Sequence, residues 1–500
     1  MLSKILVANR GEIAKRIFTA CRELGMTSVA IYSEPDAGAA WVLSADEAYP
    51  LGGSTAADSY LNQTKIFEIA QANGVDGIHP GYGFLSENAD FAAACATHGI
   101  KFIGPSPEAM ALLGSKASAR EVAQKAGVPV TPGVDGARLS DEALLKAATE
   151  IGYPVLIKAS AGGGGKGMRV VENSAEFTDA LIAARNEAAN SFGDDHIILE
   201  KFFTHIHHVE IQVLGDEHGN VIHLFERECS IQRRHQKIIE ETPSPTISEE
   251  TRQKMADAAV SLAKAAGYAS AGTVEFMYTG EGNFFLLEMN TRLQVEHPIS
   301  ELVTGLDLAQ WQIRIASGEH LNISQGAVQQ RGHAIECRIY AEDPAQNFLP
   351  SIAKIDLCTF PTLPNVRVDA GIASGESVTP YYDPMLAKVI AYGWDRGDAI
   401  GRMTAALKQT IILGVTTNIP YLLDILQEED FHNGKTTTNY LAEHFPDWQA
   451  MAEFDDEVLL AIAAFELFGN SSQNAAAVAG GTIERKPDVW KDGGRWRNVS

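Results

Sequence analysis

Between Glu288 and Glu296 the chain reads Glu-Met-Asn-Thr-Arg-Leu-Gln-Val-Glu, polar and apolar residues in strict alternation. Strand side chains repeat every two residues, so an extended segment here puts Glu288, Asn290, Arg292, Gln294 and Glu296 on one face. An isolated segment of this kind is equally the wet face of an exposed strand. The lead-in Phe284-Phe285-Leu286-Leu287 is more apolar than a solvated edge carries, which favours a polar face turned into a cleft. Upstream, Gly272 to Tyr278 is a second strand-like run, and Thr279-Gly-Glu-Gly-Asn283 supplies a glycine turn; together they predict a β-hairpin. In a register that sets Tyr278 beside Phe285, Glu275 lies opposite Glu288. Two carboxylates facing across a ladder repel, which points to a cation between them. Their oxygens and the Asn290 amide oxygen are hard ligands, better suited to magnesium than to zinc.

A chain of 500 residues is expected to form about three domains. Its formal charge of −24 argues against nucleic acid or an anionic membrane as the main partner. Anionic small ligands then need local basic clusters. Five cysteines at 21, 95, 229, 337 and 358 are odd in number, scattered and without paired metal spacing, as in a protein of the reducing cytoplasm. No apolar run is long enough to span a bilayer, and Met-Leu-Ser-Lys at the start is not a secretory signal.

Strand-like and helix-like patterns alternate at the start: Lys4 to Ala8, Arg10 to Leu24, Ser28 to Tyr32. This predicts a parallel α/β sheet. The first turn, Asn9-Arg10-Gly11-Glu12, lacks the G-x-G-x-x-G fingerprint, so a dinucleotide site is unsupported. His79 to Asn88 (His-Pro-Gly-Tyr-Gly-Phe-Leu-Ser-Glu-Asn) follows a strand ending at Ile78, where α/β proteins bind ligands, although plain loop chemistry explains it too. Further on, Tyr153 to Lys158 leads through Ala159-Ser-Ala-Gly-Gly-Gly-Gly-Lys-Gly-Met168 into Arg169-Val-Val171. Without Ser or Thr after the lysine this is not a Walker loop. Consecutive glycines can still turn backbone N–H groups onto a phosphate and serve as a lid, and Lys116, Lys158 and Lys166 favour that reading over a surface loop. His205, His207 and His208 have no cysteine nearby and are a weak zinc signal. The densest basic run, Gln232 to Lys237 (Gln-Arg-Arg-His-Gln-Lys), is either a solvated face or part of a charge-balanced buried site with Glu240 and Glu241. Glu249 to Ala266 is expected to be a helix with Met255, Ala259, Leu262, Ala263 and Ala266 in the core.

Taken in order, the glycine loop, Glu200-Lys201, the basic run and the Glu275, Glu288, Asn290 set resemble an ATP-grasp fold, and within it the biotin carboxylases. The resemblance runs from Met1 to about Phe445 through Val7 to Ile13, His79 to Asn88, Arg233 to Lys237, Glu288 to His297, His333 to Arg338 and Tyr381 to Met385. It implies an α/β (α+β) fold in three parts: a Rossmann-like N-domain over 1–113, an ATP-grasp domain over 114–320 with a glycine-rich lid at about 131–203, and a β-rich C-terminal domain over 331–445. Residues 446–500 are a helix-like segment, a linker and a tail of no assigned role. By the same resemblance Lys116, Lys158, Gly162, Gly163, Gly164, Gly165, Glu200, Lys201, His208, Gln232, His235, Glu275 and Glu288 hold ATP. Glu275, Glu288 and Asn290 bind Mg2+ or Mn2+. Lys237, Arg292, Gln294, Val295 and Glu296 position bicarbonate, Glu296 is the base, Arg338 faces the biotin ureido oxygen, and Tyr82 and Gly83 border biotin.

The implied reaction is ATP-dependent carboxylation of carrier-bound biotin through carboxyphosphate, the first half-reaction of an acyl-CoA carboxylase or, alternatively, of a pyruvate carboxylase. The implied partners are a biotin carboxyl carrier and a carboxyltransferase, in a homodimer or larger complex. The chain contains no Met-Lys dipeptide, so the biotinyl lysine is expected on another polypeptide. Two rivals share part of the pattern: an ATP-grasp carboxylate–amine ligase, which does not need the Arg292, Glu296, Arg338 set, and a regulatory nucleotide-binding subunit, which does not need Glu296.

Overall fold

The computed structural model describes residues 2–137, 139–159, 168–193 and 195–450, with Leu460 and Ala464. The apolar run Lys4–Val7 forms β1, completely buried at Ile5, Leu6 and Val7. Helix α1, Gly11–Glu23, packs Ile13, Ala14, Ile17, Phe18 and Cys21 inward at helical spacing. Strands β2 (Thr27–Tyr32), β3 (Glu47–Pro50), β4 (Gly77–His79) and β5 (Lys101–Phe102) complete a parallel sheet in the order β3-β2-β1-β4-β5. Its order reverses beside β1, and the loops leaving β1 and β4 start there. The expected N-terminal sheet is thus present, with boundaries one residue from those read in the sequence.

A small antiparallel sheet follows, built from β6 (Gly133–Asp135), β7 (Val155–Ala159), β8 (Met168–Val171) and β9 (Ile197–Lys201) in the order β6-β9-β7-β8. Val155, Ile157, Val171, Leu199 and two helices close its core. The glycine loop, Gly162 to Gly165 with Lys166, lies outside the described residues.

The largest sheet has eight strands. It contains β10 (His207–Gly215), β11 (Val221–Arg233), β12 (Gln236–Thr242), β13 (Ser270–Gly280), β14 (Asn283–Asn290) and β15 (His333–Tyr340), then Met385–Gly393 and Val366–Ala370. The order is β14-β13-β10-β11-β12-β15, followed by those last two strands. The segment expected as a C-terminal domain therefore adds its strands to the sheet of the segment expected as the ATP-grasp domain, through the pairing of β12 with β15. The helix Glu249–Ala265 buries Met255, Ala259, Leu262 and Ala263 as expected. Among the described residues no helix is long and apolar enough to cross a membrane. A second unit begins at Gln449; past Ala450 only Leu460 and Ala464 are described, both helical.

Two sequence expectations are corrected. The alternating run is a strand only to Asn290; residues 291–296 form a loop that leads into the helix His297–Thr304. Pro298 in the first turn of that helix suits a helix start, where its missing N–H costs nothing. At the outer end of the hairpin Tyr278 pairs with Phe284, not Phe285, and a bulge at Leu287 restores the pairing of Glu275 with Glu288. The extra residue takes up the one-residue slip, so the two carboxylates face each other after all.

Candidate active site

Lys237 is the centre of the site. It sits on β12 just after the Arg234-His235 turn, whose residues both have positive φ, and its ammonium donates to Glu210 at 2.5 Å, Glu275 at 2.8 Å and Glu296 at 2.7 Å. Burial opposes its charge, but Glu210, Glu275 and Glu296 outweigh that and hold its pKa well above the usual lysine value. The basic run thus splits. Lys237 and Gln232, cross-strand neighbours, are buried, while Arg234 and His235 are exposed at the hairpin tip. Arg233 turns to Glu342 at 3.2 Å.

Glu296 precedes the helix His297–Thr304 without a side-chain cap bond to it and is 1% exposed. Besides Lys237 it accepts from Arg338 at 2.9 Å. Burial pushes its carboxyl up, yet Lys237, Arg338 and Arg227 together hold it well below the carboxylate range. Arg338 also pairs with Glu240 at 2.5 Å; burial, opposed chiefly by Arg338, raises Glu240 to about 7.

Arg292 stays within electrostatic reach of Glu296, but its hydrogen bonds go elsewhere. Its Nε donates to Glu87 at 3.0 Å and its guanidinium to the Asn290 oxygen at 3.1 Å. The cations touching Glu296 are Lys237 and Arg338.

Glu275 accepts from Lys237, from the Asn290 amide at 2.8 Å and from the Gln294 amide at 2.8 Å, with His208 Nε2 at 3.1 Å from its other oxygen. Across the hairpin, burial and then the Glu275 charge raise the Glu288 pKa. That repulsion between facing carboxylates is what a divalent cation relieves, so Glu275, Glu288 and the Asn290 oxygen fit magnesium or manganese. Asn290 and Glu288 also line a cavity of about 310 Å3 with Lys116, Lys158 and Glu200. Lys158 pairs with Glu200 at 2.5 Å. The Lys201 ammonium instead donates to the Gly152 and Tyr153 carbonyls at 2.9 and 3.0 Å, so it braces the small sheet and does not line this cavity.

The loop after β4 is held by Asn9, whose amide donates to the Pro80 and Tyr82 carbonyls, each at 2.7 Å. Gly81 is required there: at φ +62° a Cβ would lie 2.8 Å from the Asn9 amide nitrogen. Gly83 also has positive φ, and the Tyr82 hydroxyl donates to Glu12.

Several polar residues of the site were not singled out in the sequence. Arg227, completely buried, donates to Glu210, Gln212, Thr273, Gln294 and Ser300. It ties β10, β13 and the 291–296 loop together. Arg120 reaches Glu200 at 3.2 Å and the Thr131 carbonyl at 2.6 Å. The available signal was the alternation His208, Glu210, Gln212, which puts a row of polar groups on one face of the strand.

Family models match nearly the whole body of the chain: biotin carboxylase N-terminal domain over residues 1–110, carbamoyl-phosphate synthase L chain ATP-binding domain over 115–324, and biotin carboxylase C-terminal domain over 336–443. Biotin carboxylase 1 of Bacillus subtilis is 51% identical over 442 residues, covering 88% of this chain and 98% of the relative. The chain belongs to the biotin carboxylase family. Methylcrotonoyl-CoA carboxylase subunit alpha of Rattus norvegicus is 47% identical over 447 residues, which are 89% of this chain and 62% of that longer relative. The biotin carboxylase domain dimer of Hydrogenobacter thermophilus 2-oxoglutarate carboxylase, solved with MgADP, ADP and bicarbonate, superposes with a TM-score of 0.84 at 49% identity, covering 89% of this chain and 98% of that one. Members of the biotin carboxylase family are ATP-dependent ligases, and the three-part architecture expected from the sequence is theirs.

Proposed function

We propose that this chain carboxylates biotin borne on a carrier, using ATP and bicarbonate, and that the residues around Lys237 perform the step. The observation that carries the reading is the Lys237 ammonium, which bonds both Glu275 of the cation set and Glu296. One positive charge thereby links the place where phosphate is transferred to the place where bicarbonate loses its proton.

In this reading Lys116, Lys158, Glu200, Lys201, His208, Gln232, His235 and the glycines 162 to 165 hold ATP. Lys201 does so through its backbone, since its side chain is committed elsewhere. Magnesium or manganese, held by Glu275, Glu288 and Asn290, supplies charge neutralisation for the phosphates. Arg292, Gln294, Val295 and Lys237 orient bicarbonate, and Glu296 removes its proton. The resulting dianion attacks the γ-phosphorus and displaces ADP, giving carboxyphosphate, with Lys237 stabilising the developing charge. Carboxyphosphate releases CO2 and phosphate, the phosphate takes the biotin N1 proton, Arg338 stabilises the ureido oxyanion, and N1 then attacks the CO2 carbon to give N1-carboxybiotin. Tyr82 and Gly83 border the biotin. Because Lys237, Arg338 and Arg227 hold Glu296 low, its basicity rises when bicarbonate draws one of these cations away.

The expected boundaries at 113, 320 and 331 belong to the same reading, as do the cytoplasm, to which five unpaired cysteines are suited, and a complex with a carboxyltransferase. The carboxyl acceptor is proposed to be an acyl-CoA, with a 2-oxo acid such as pyruvate as the second choice; of the three relatives described above, the methylcrotonoyl-CoA and 2-oxoglutarate carboxylases divide along that line. The test is ADP release by the purified chain with MgATP, with and without bicarbonate. Strong bicarbonate dependence supports the reading. A bicarbonate-independent ATPase, or none, refutes it.

A further inference from the structure

Lys388 lies on the strand Met385–Gly393 and is completely buried, yet no role in the proposed reaction uses it. Its ammonium donates to the Val295 carbonyl at 2.8 Å. Its nearest carboxylate is Glu12 of α1, at 3.3 Å. Asp369, at 3.8 Å, is engaged by Arg367 at 2.7 Å. Glu12 in turn accepts the Tyr82 hydroxyl with its other oxygen.

The register adds a second observation. Arg338 on β15 and Lys388 are direct cross-strand partners, so their side chains share one face of the sheet. Arg338 grips the Glu296 carboxylate and Lys388 grips the carbonyl of the residue before it. Two adjacent cations thus hold consecutive residues of the loop that follows β14. A carbonyl fixed by an ammonium fixes the peptide plane joining Val295 to Glu296, and with it the direction from which both enter the site.

Resting on the function proposed above, we propose that Lys388 and Glu12 are positioning residues. Lys388 sets the bicarbonate loop through Val295, and Glu12 couples that anchor to the biotin-bordering Tyr82. Neither touches substrate. A buried ion pair with only a structural role would, when removed, degrade every kinetic constant or none. A positioning pair acts selectively on the steps that use Val295, Glu296 and Tyr82.

The test uses Lys388→Met, which keeps the bulk of the stem, Lys388→Arg, which keeps a donor, Glu12→Gln, which keeps an acceptor for Tyr82, and the Lys388→Met/Glu12→Gln double variant. Bicarbonate-dependent ADP release is measured as KM for bicarbonate and for MgATP separately. Lys388→Met is expected to raise KM for bicarbonate by about tenfold or more, because loop misplacement of this kind is costly, with KM for MgATP within about twofold. Lys388→Arg recovers part of the loss. The double variant is no worse than Lys388→Met, since both act through one contact. Equal loss in both KM values, or an unchanged KM for bicarbonate in Lys388→Met beside an active parent, overturns the inference and leaves the function intact. If Lys388→Met does not fold, unchanged bicarbonate KM in both Lys388→Arg and Glu12→Gln overturns it. A parent chain without bicarbonate-dependent ADP release overturns the function, and this inference with it.

Discussion

Replacing Glu296 by glutamine removes the base while keeping its shape. The carboxylate accepts from Lys237 at 2.7 Å and from Arg338 at 2.9 Å. The amide oxygen can keep one of these bonds, and the amide nitrogen then faces a cation. A hydrogen bond to a charged group is worth about 1.5–3 kcal/mol, so the variant is expected to lose about that much stability. Lys237 retains Glu210 and Glu275, which limits the damage. The kinetic loss should be larger, because general-base catalysis contributes about 10²- to 10⁴-fold, equivalent to about 3–5 kcal/mol in the barrier. The assay is ADP release at saturating MgATP with and without bicarbonate, beside calorimetric nucleotide binding and urea unfolding. Nucleotide affinity should be close to that of the parent, since Glu296 does not line the nucleotide cavity. Bicarbonate-stimulated turnover near the parent's, in a folded variant, would refute the assignment of the base.

Arg338→Ala should depress biotin carboxylation far more than biotin-independent ATP cleavage, because the charge it meets develops only on the ureido oxygen; parallel kinetics with and without biotin test this, and equal losses contradict it. Arg227→Met leaves Glu210 with Lys237 and, at 3.8 Å, His208 and strips donors from four further buried groups; a loss of about 3–5 kcal/mol by urea unfolding is expected, and a change under about 1 kcal/mol contradicts the account. Burial raises the Glu301 carboxyl, but Arg16 and Arg367 hold it below its ordinary value. Its stabilisation is therefore complete above the unfolded value near 4.5 and is lost as pH falls through the folded one. Glu301→Gln should lower stability at pH 7 and flatten its acid limb, as followed by urea midpoint against pH. An acid limb as steep as the parent's counts against that pairing.

How the chain folds was legible where local pattern and tertiary demand agree. The buried run at Lys4 to Val7 and the 3.6-residue spacing of α1 need no distant partner to be recognised. The facing of Glu275 and Glu288 was also legible, although it arises through a bulge at Leu287 that compensates for the wrong outer register. The alternation from Thr291 to Glu296 misled, because a period of two does not distinguish a strand from a loop that meets a helix start. From that loop Arg292 bonds Glu87 while remaining within electrostatic reach of Glu296. Lys388 stayed hidden for another reason: it is a single charge in an apolar strand, and, as for Glu210 and Arg227, only partners from other strands show it to be satisfied.

The central claim is that Glu296, Lys237 and Arg338 join ATP cleavage to carboxyl transfer onto biotin. Its most direct test supplies the purified chain with MgATP, ¹⁴C-bicarbonate and a biotinylated carrier domain, and counts label on the carrier together with ADP released. The account predicts acid-labile label on the biotin that depends on ATP, at one label per ADP once the carrier is in excess, and no label with Arg338→Ala. ADP release with no label on the carrier, or label that forms without ATP, would contradict it.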